Sequence, residues 1–363
     1  MPSSSHKTPA FLPTLEGVRP MALTRRAVAA MLLAGTAWGA QAQAPKALKP
    51  VKIALGTQVI NVTYPWLTLP LALGYWKDEG YDVQVVTVGG SLQGIQQMVA
   101  GGVEFAQLNS TGLIQANTDN NLAVRGLMGT GAIDWGIGVL DAGPIKTVAD
   151  LKGKKVTVLK GTAYQRPFDN LLATAGLTEK DVKLINMDWP SSKAAVVAGE
   201  IDATFGGSDL FLLRDKGVTI PLSTKGRGPD FTINAGVLAT QDFITTQPQW
   251  AQRLVNQVVR GAHWASQEAH REAYIKLVVE HSGAPEIGVR AEFEGETLAS
   301  RFSPLIDEAL VAGYQGVVSD GLKLGILRQG FDVNAWFEPR FAQQAVRDLK
   351  HERFWSPQDA QGK

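Results

Sequence analysis

The sequence predicts an α/β protein made of two lobes, each built on a mostly parallel β-sheet. Two observations support this prediction. Apolar runs of strand length alternate with segments of helix length from residue 50 to about residue 222, and the alternation forms two series of similar size. Strands that alternate with helices of about 10 to 15 residues are typical of right-handed βαβ units, whose strands lie parallel in one sheet. A chain of 363 residues is long enough for two such lobes.

The first series begins at residue 50. Its predicted strands are VKIALGT, YDVQVVTV, VEFAQL and LAVRGLMG. The helices predicted between them are YPWLTLPLALGYWKDEG, which Gly80 closes, SLQGIQQMVAG and TGLIQANTDN. A glycine after the last turn favours a helix end, because it adopts the left-handed conformation without steric penalty.

The second series begins near Gly143-Pro144. The segment TVADLKGKKVTVLKGTAYQRPFDNLLATAGLTEKDVKLINM predicts a short helix, a strand, a helix closed by Gly176 and another strand. The segments SSKAAVVAGEIDATFGG and DLFLLRDKGVTIPL continue the alternation. Beyond residue 240 the chain is predicted to be helical almost to its end, and the longest helical segment is QWAQRLVNQVVRGAHWASQEAHREAYIKLVVEH.

Extended segments at about 132–140 and 231–240 bracket the second series. The simplest arrangement inserts a second lobe, residues 141–235, into a first lobe formed by residues 43–140 and 236–363. Two crossover strands then join the lobes, with hinges expected near residues 137–145 and 232–240, and the C-terminal helices pack on the first lobe.

Residues 1–42 predict a leader that is removed on export. Thr24-Arg25-Arg26 precedes the apolar run AVAAMLLAGTAW, and Ala40-Gln41-Ala42 fits a small-x-small cleavage pattern. The adjacent arginines also fit twin-arginine export, and Met21 is the expected start of translation. A membrane anchor is the alternative, but a run of about 12 apolar residues is too short to span a bilayer.

Composition excludes several classes of protein. Lys and Arg total 35 against 34 for Asp and Glu, so the formal net charge is +1, and there is no large basic field to hold nucleic acid. The chain has no cysteine, which excludes disulfides, thiolate catalysis, Cys-ligated metal and a lipid-modified N-terminal cysteine. We therefore expect an exported, unanchored, monomeric protein of the bacterial periplasm.

Small polar residues follow several predicted strands at the point where a helix starts. These strand ends are Gly90-Ser91, Ser110-Thr111, Gly161-Thr162 and Gly207-Ser208-Asp209. Ligands of open parallel sheets bind beyond the carboxyl ends of the strands, and the first turn of a helix offers unpaired N–H groups and partial positive charge. The pattern predicts an anion site without lysine or arginine. Ordinary N-capping is the alternative at each position.

Aromatic residues near the same strand ends are candidates for the walls of a pocket. They are Tyr64, Trp66, Trp135, Tyr164 and Trp189, and core packing is the alternative for each.

Arg166, one turn into its predicted helix, is a candidate to meet a ligand's charge, and a solvated surface position is the alternative.

Motifs of known enzyme classes are absent from the sequence. Gly89-Gly90-Ser91-Leu92-Gln93 lacks the second glycine of a nucleophile elbow, no Walker sequence occurs, and Asp134 interrupts the dinucleotide-like Gly129-Thr130-Gly131. The histidines beyond the leader lie in the helical C-terminal part without HExxH spacing. His263 and His270 could share a helix face, but surface or core positions are the simpler interpretation. We expect no catalytic residues, metal or cofactor.

The sequence resembles the periplasmic substrate-binding proteins of ABC importers, and within them the nitrate, sulfonate and taurine group. The resemblance covers about residues 50–350 and rests on an ordered set of segments: VKIALGTQ, GYWKDEGYDV, GGS followed by QQMVAGGVEFAQLNSTG, VADLKGKKVTVLKGTAYQ, VVAGEIDATFGGSD and FDVNAWFEPRFAQQAV. It implies a type II periplasmic binding protein fold that closes on a ligand between its lobes without covalent chemistry.

The resemblance also implies a set of pocket residues. They are Gln58, Ser91, Leu92, Ser110, Thr111, Thr162 and the turn Gly207-Ser208-Asp209. Family members often carry an aromatic or acidic-aromatic pair after the strand that reads IDATF here, whereas this chain has Gly206-Gly207-Ser208. The wall of the pocket is therefore expected to differ at this strand end.

These observations favour a receptor that captures a small organic anion and delivers it to an inner-membrane ABC permease. Sulfonate is the first choice of headgroup, followed by carboxylate and nitrate. A receptor for a neutral thiamin-precursor pyrimidine or another aromatic is one alternative, and a non-transport enzyme on the same fold is another. Desulfinases that resemble this family use a cysteine nucleophile, which this chain lacks.

Overall fold

The computed structural model describes residues 48–55, 66–88, 91–109, 123–130, 132–160, 165–323, 325 and 327–362. The predicted leader, residues 1–42, and the helix predicted for TGLIQANTDN lie outside the described residues.

Among the described residues, the first sheet contains five main strands in the order β2-β1-β3-β11-β4, and the short β5 pairs with β11. The strands are β1 Lys49–Leu55, β2 Tyr81–Thr87, β3 Phe105–Asn109, β4 Val124–Met128, β5 Ala132–Ile133 and β11 Ile233–Thr240. β1 is parallel to β2 and β3, whereas β11 is antiparallel to both β3 and β4. Four of the main strands therefore run in one direction and β11 runs in the other.

The second sheet has the order β10-β6-β9-β7-β8. Its strands are β6 Gly136–Leu140, β7 Lys155–Val158, β8 Lys183–Asn186, β9 Ala203–Gly206 and β10 Val218–Ser223. β7 is parallel to β8 and β9, and β6 is antiparallel to β9 and β10. The chain passes from the first sheet to the second between β5 and β6, and it returns to the first sheet in β11. The predicted α/β class with two mostly parallel sheets is confirmed.

Helices cover both faces of each sheet. The α-helices are α1 Leu69–Ala72, α2 Tyr75–Asp78, α3 Ser91–Val99, α4 Gln165–Ala173, α5 Trp189–Val197, α6 Gln241–Thr246, α7 Pro248–Ser266, α8 Arg271–Ser282, α9 Glu286–Glu292, α10 Leu298–Arg301, α11 Glu308–Lys323, α12 Val333–Trp336 and α13 Arg340–Asp348. Short 3-10 helices span Val148–Leu151, Glu179–Asp181, Ser208–Lys216, Pro229–Phe231 and Glu268–His270.

The first sheet, with the helices packed on it, forms what we call the first lobe. Val51, Ile53 and Leu55 of β1 pack with α7 and α8 in one core cluster, whereas Ala54 packs on the other face with α3 and α11. Alternate residues of a strand point to opposite faces, so a strand between two helical layers is apolar on both.

The second sheet and its helices form the second lobe. Val156 and Phe205 pack against Phe168 and Leu171 of α4, and the other face of the sheet is covered by α5 and the 3-10 helix Ser208–Lys216. Each lobe thus has a core of its own.

Two predicted helices are broken in the structure. The single helix predicted for YPWLTLPLALGYWKDEG is wrong, because Gly74 has a φ of 76° and separates α1 from α2. The long helical segment predicted from Gln249 is interrupted at Gln267, whose φ of −85° and ψ of 122° are extended. A left-handed or extended residue ends the i to i−4 hydrogen bonding of a helix, and hydrophobic spacing does not report such a break.

Candidate ligand site

The carboxyl ends of β1–β4 lie at one edge of the first sheet, because these strands share a direction. α3 begins at Ser91, directly beyond the end of β2, and Ser91 is partly exposed. The backbone of Leu92 lies in the first turn of the same helix. The structure therefore places this predicted pair at a helix start beyond a parallel strand, as expected.

Gly94 allows α3 to lie close to the sheet. A methyl group at this position would be 2.8 Å from Cδ2 of Leu108 and 3.3 Å from Cγ2 of Val88. Carbon atoms in ordinary contact are about 3.5 to 4.0 Å apart. A larger residue would push α3 outward, and with it the helix start at Ser91.

In the second lobe, the N-terminus of α5 is already occupied by a carboxylate. Oδ1 of Asp188 accepts a hydrogen bond from the backbone N–H of Ser191 at 2.9 Å, and Oδ2 accepts one from the Ser191 hydroxyl at 3.0 Å. These bonds to the ionised form lower the pKa of Asp188. Asp188 thus fills the position that an anion would take at this helix start.

The strand end after β9 carries an ion pair that sequence reasoning missed. The 3-10 helix begins at Ser208, and the carboxylate of Asp209 accepts a hydrogen bond from Nζ of Lys193 on α5 at 2.7 Å. An unpaired carboxylate here would repel an anionic ligand, and Lys193 offsets that charge. The two residues lie on different elements, so local spacing did not indicate the pair.

Three rings form a stack at the same end of the second sheet. The Trp135 ring lies between those of Phe205 and Trp189, with centroid distances of 5.7 and 5.8 Å and interplanar angles of 21° and 29°. Gly207 lies beside the stack, and a methyl group there would be 3.6 Å from Cζ3 of Trp135. Trp135 is buried and Trp189 is partly buried. The structure brings these two predicted wall residues together, and both also pack in the core of the second lobe.

Trp66 occupies a core position. Its side chain is 3% exposed, and its ring packs edge to face against Phe302 at a centroid distance of 5.4 Å. Core packing accounts for this burial, and a contact between Trp66 and a ligand stays a prediction.

The alternative interpretation of Arg166 as a solvated surface residue does not hold. Its side chain is 10% exposed and pairs with the carboxylates of Asp230 and Asp320. Nη1 also donates to the backbone oxygen of Pro229 at 3.2 Å. Its charge is therefore matched by acidic side chains of the protein in this arrangement.

A buried ion network lies at the first crossover. Nη1 of Arg301 lies 3.1 Å from Oδ2 of Asp134, and Nη2 pairs with Glu292. Lys225 donates to the backbone oxygen of Glu292 at 2.7 Å and lies 3.2 Å from Oε1 of Glu296. Burial raises the pKa of Asp134 to about 6 and that of Glu292 to about 7, against the opposing effect of Arg301. The network joins the crossover, the loop after β10 and the C-terminal helices.

A cavity of about 490 Å³ lies beside this network. Thr130, Asn234, Ser303 and Leu310 contribute to its lining together with the charged groups of the network. It adjoins the crossovers, and of the predicted site residues that the structure describes, none is among its lining residues.

The histidines of the C-terminal part make contacts within the protein. The rings of His263 and His351 stack at a centroid distance of 3.6 Å, and Nδ1 of His270 lies 2.7 Å from the backbone oxygen of Trp264. Burial lowers the pKa of His263. Among the described residues, no group of three or more His, Cys, Asp or Glu side chains could hold a metal ion.

Six of the predicted ligand-binding residues lie outside the described residues. They are Gln58, Tyr64, Ser110, Thr111, Thr162 and Tyr164. Their assignment to the ligand site stays a prediction.

The chain matches the family model described as NMT1/THI5 like over residues 68–271. A Haemophilus influenzae protein whose name places it in thiamine biosynthesis is 38% identical over 68 residues, which cover 19% of this chain and 21% of that protein. A Brucella abortus protein named as a binding protein is 25% identical over 186 residues, or 50% of this chain and 57% of the relative. The chain thus matches about a fifth of the length of the Haemophilus protein and somewhat more than half of the length of the Brucella protein.

Solved structures share the fold over most of the chain. The periplasmic sulfonate-binding protein SsuA from Methylobacillus flagellatus aligns with a TM-score of 0.74 and 29% identity, covering 86% of this chain and 98% of that one. The periplasmic nitrate-binding protein NrtA from Synechocystis aligns with a TM-score of 0.63 at 16% identity, covering 86% and 92%. The desulfurization enzyme DszB aligns with a TM-score of 0.66 at 16% identity, covering 83% and 99%.

These similarities confirm the predicted fold and the predicted resemblance to sulfonate- and nitrate-binding periplasmic proteins. In the part of the chain that the structure describes, no helix combines the length and apolar character needed to cross a membrane. The matched segment runs through both lobes, from α1 to the start of α8. The chain therefore belongs to the NMT1/THI5-like family.

Proposed function

We propose that this protein is a periplasmic solute receptor that takes a small organic anion between its two lobes. One observation carries the proposal: the structural match to a sulfonate-binding protein extends over 86% of the chain at 29% identity and a TM-score of 0.74. Sulfonate is the preferred headgroup, and carboxylate and nitrate follow.

The helix start at Ser91 supports binding of an anion. It lies beyond the carboxyl end of β2, where the first-turn N–H groups of α3 carry partial positive charge. In the second lobe we assign the corresponding role to the start of α4, with Thr162, because Asp188 already fills the start of α5. The remaining contacts in the proposal come from Gln58, Ser110, Thr111, and the turn Ser208-Asp209.

A receptor for a neutral pyrimidine related to thiamin is the second candidate. The observation that favours it is the 38% identity over 68 residues to the Haemophilus protein named for thiamine biosynthesis. In that case the aromatic side chains, Tyr64 and Tyr164 together with Trp135 and Trp189, would contribute more to affinity than the helix starts.

Capture without chemistry is favoured over catalysis. The fold is shared with a desulfurization enzyme, so architecture does not exclude a reaction. The cysteine nucleophile implied by the resemblance to desulfinases is missing, because the chain contains no cysteine. We propose delivery of the ligand to an inner-membrane ABC permease by a monomeric receptor.

A panel of ligands tests this proposal by thermal shift. The panel contains alkyl and aryl sulfonates, carboxylates, nitrate and pyrimidines, each at several concentrations. A ligand present at 100 times its Kd stabilises the folded state by about 2.7 kcal/mol, which a melting curve detects readily. We expect sulfonates to give the largest shift. A response to neutral pyrimidines alone would favour the second candidate, and consumption of a bound ligand would indicate an enzyme.

A further inference from the structure

The side chain of Arg166 crosses from the second lobe to the first. Arg166 lies in α4, whose Phe168 and Leu171 pack in the core of the second lobe. Its partner Asp320 lies in α11, whose Val317 packs in the core of the first lobe. The ion pair therefore joins two elements that belong to different cores.

All three guanidinium nitrogens of Arg166 have acceptors. Nε pairs with Asp320, Nη2 pairs with Asp230, and Nη1 donates to the backbone oxygen of Pro229 at 3.2 Å. Asn170, one helical turn further along α4, donates to the backbone oxygen of Asp230 at 2.7 Å. Since the Arg166 side chain is 10% exposed and that of Asp320 is 26% exposed, water screens this pair less than it screens a surface pair, whereas Asp230 is 71% exposed.

Gly316 provides the space for this guanidinium. A methyl group at position 316 would lie 2.3 Å from Nη2 and 2.5 Å from Cζ of Arg166, and all three of its nearest contacts would be atoms of this one side chain. The guanidinium thus lies directly on the backbone of α11. Only glycine leaves room for it there.

Carboxylates of both lobes lie near Arg166. The charged groups that face this region from the packed elements are Lys160, Asp169, Glu179, Asp230, Asp320 and Lys323. Burial and the neighbouring carboxylates of Glu179 and Asp320 raise the pKa of Asp169 to about 7, against the opposing effect of Lys160. Without the guanidinium, Asp320 of the first lobe would act on Asp169 of the second with less compensating charge, and like charges repel.

We propose that Arg166 is a positioning residue that holds the start of α4 against the first lobe and favours the arrangement in which the two lobes lie together. The part of this inference that concerns ligand affinity rests on the proposed function, because the start of α4 is one wall of the proposed site. The part that concerns the lobes themselves does not depend on any ligand.

The distance between the lobes tests the inference without ligand. Because the chain has no cysteine, Gln84→Cys in β2 and Lys152→Cys in the second lobe give two unique positions for spin labels. In this background, Arg166→Gln should shift the distance distribution from that of the unmodified pair towards a more open arrangement. Arg290→Gln is the matched control, because Arg290 pairs with Glu272 and Glu286 within the C-terminal helices.

Two further variants separate positioning from general stability. Gly316→Ala displaces the guanidinium while keeping every charge, and alanine favours a helix by about 1 kcal/mol over glycine. It should open the lobes as Arg166→Gln does. Asp320→Asn added to Arg166→Gln removes one of the repelling carboxylates. It should return part of the distance distribution to that of the labelled protein with Arg166 intact. Unchanged distances in both Arg166→Gln and Gly316→Ala would overturn the inference.

Ligand affinity then links the inference to the proposed function. With butanesulfonate as the probe, Arg166→Gln should raise Kd roughly tenfold, since only the fraction of molecules in the competent arrangement binds. Arg290→Gln should leave Kd unchanged. Failure of butanesulfonate to bind the unmodified protein would count against the proposed function alone, whereas a shifted distance distribution with unchanged Kd would remove Arg166 from the ligand site.

Discussion

Nη1 of Arg301 lies 3.1 Å from Oδ2 of Asp134, and this ion pair joins α10 of the first lobe to the segment between β5 and β6. The second nitrogen of the same guanidinium pairs with Glu292, which is 2% exposed. Three carboxylates, Asp134, Glu292 and Glu296, thus share two cations, Arg301 and Lys225. Since one negative charge is left over in a buried site, a proton is retained there up to near-neutral pH.

The first prediction concerns the pH dependence of stability. The pKa of Glu292 is about 7 in the folded protein and close to its ordinary 4.5 when unfolded. Between these values the folded state binds more protons, so the free energy of unfolding falls as pH rises from about 4.5 to 7. Glu292→Gln should remove much of this slope. In thermal melts, the difference in Tm between the variant and wild type should shift in favour of the variant as pH rises from 5 to 8.

Glu268→Gln provides a control of opposite sign. Hydrogen bonds from Arg271 and from the backbone of Leu298 lower the pKa of Glu268, so its contribution to stability is lost only as pH falls below about 4.5. The difference in Tm between Glu268→Gln and wild type should stay nearly constant between pH 5 and pH 8. A relative loss in Tm for Glu292→Gln at pH 8 would show that Arg301 keeps Glu292 ionised.

The second prediction concerns the helix starts of the proposed site. Ser91→Ala combined with Thr162→Ala should weaken sulfonate binding at least tenfold, because hydrogen bonds to a charged group contribute about 1.5 to 3 kcal/mol each. The fold should be retained. Titration calorimetry measures the affinity, and circular dichroism checks the fold.

Thr240→Ala is the matched control for these substitutions. Thr240 caps α6, with Oγ1 accepting from the backbone N–H of Phe243 at 3.1 Å. It follows β11, which runs opposite to its neighbours, so it lies at the far edge of the first sheet. The loss of this cap should cost about 1 kcal/mol of stability without changing Kd. If the Ser91→Ala/Thr162→Ala variant bound sulfonate as tightly as wild type, the ligand would have to bind elsewhere.

The third prediction concerns the packing of α3. Gly94→Ala would place a methyl group 2.8 Å from Cδ2 of Leu108, so either Leu108 or the helix must move. Overpacking of this kind typically costs about 1 to 3 kcal/mol. Urea denaturation should show this loss, and sulfonate affinity should fall as well because the start of α3 shifts. A variant as stable as wild type would indicate that Leu108 adapts without moving the helix.

The fourth prediction concerns the ring stack of the second lobe. Trp135→Ala should lower the free energy of unfolding by about 3 to 5 kcal/mol, the usual cost of removing a buried aromatic side chain. Trp135→Phe keeps a ring between Phe205 and Trp189 and should cost less. Urea denaturation of Trp135→Ala and Trp135→Phe gives both free energies of unfolding, and their difference measures the contribution of a ring at position 135. A change in sulfonate affinity for Trp135→Phe, without loss of stability, would show that this ring also contacts the ligand.

Strands were predicted well because their signal is local. The predicted strands VKIALGT and YDVQVVTV correspond to β1 Lys49–Leu55 and β2 Tyr81–Thr87 within two residues at each end. Helix interruptions were not predicted. The positive φ of Gly74 and the extended Gln267 are single-residue conformations, and apolar periodicity continues across both.

The candidate site was predicted only in part. Ser91 begins α3 as expected, and Trp135 and Trp189 lie in contact. By contrast, the sequence carried no sign that Lys193 would pair with Asp209, or that Arg166 would reach Asp320 in the other lobe.

By itself, the sequence determined the α/β class, the two series of strands and helices, and the start of α3 at Ser91. Hydrophobic spacing and capping residues act over a few positions along the chain, so they can be read from it directly. The tertiary structure alone decided which charges meet and which side chains are buried. Those pairings depend on how whole elements approach one another in space, and residues distant in sequence carry no local record of that approach.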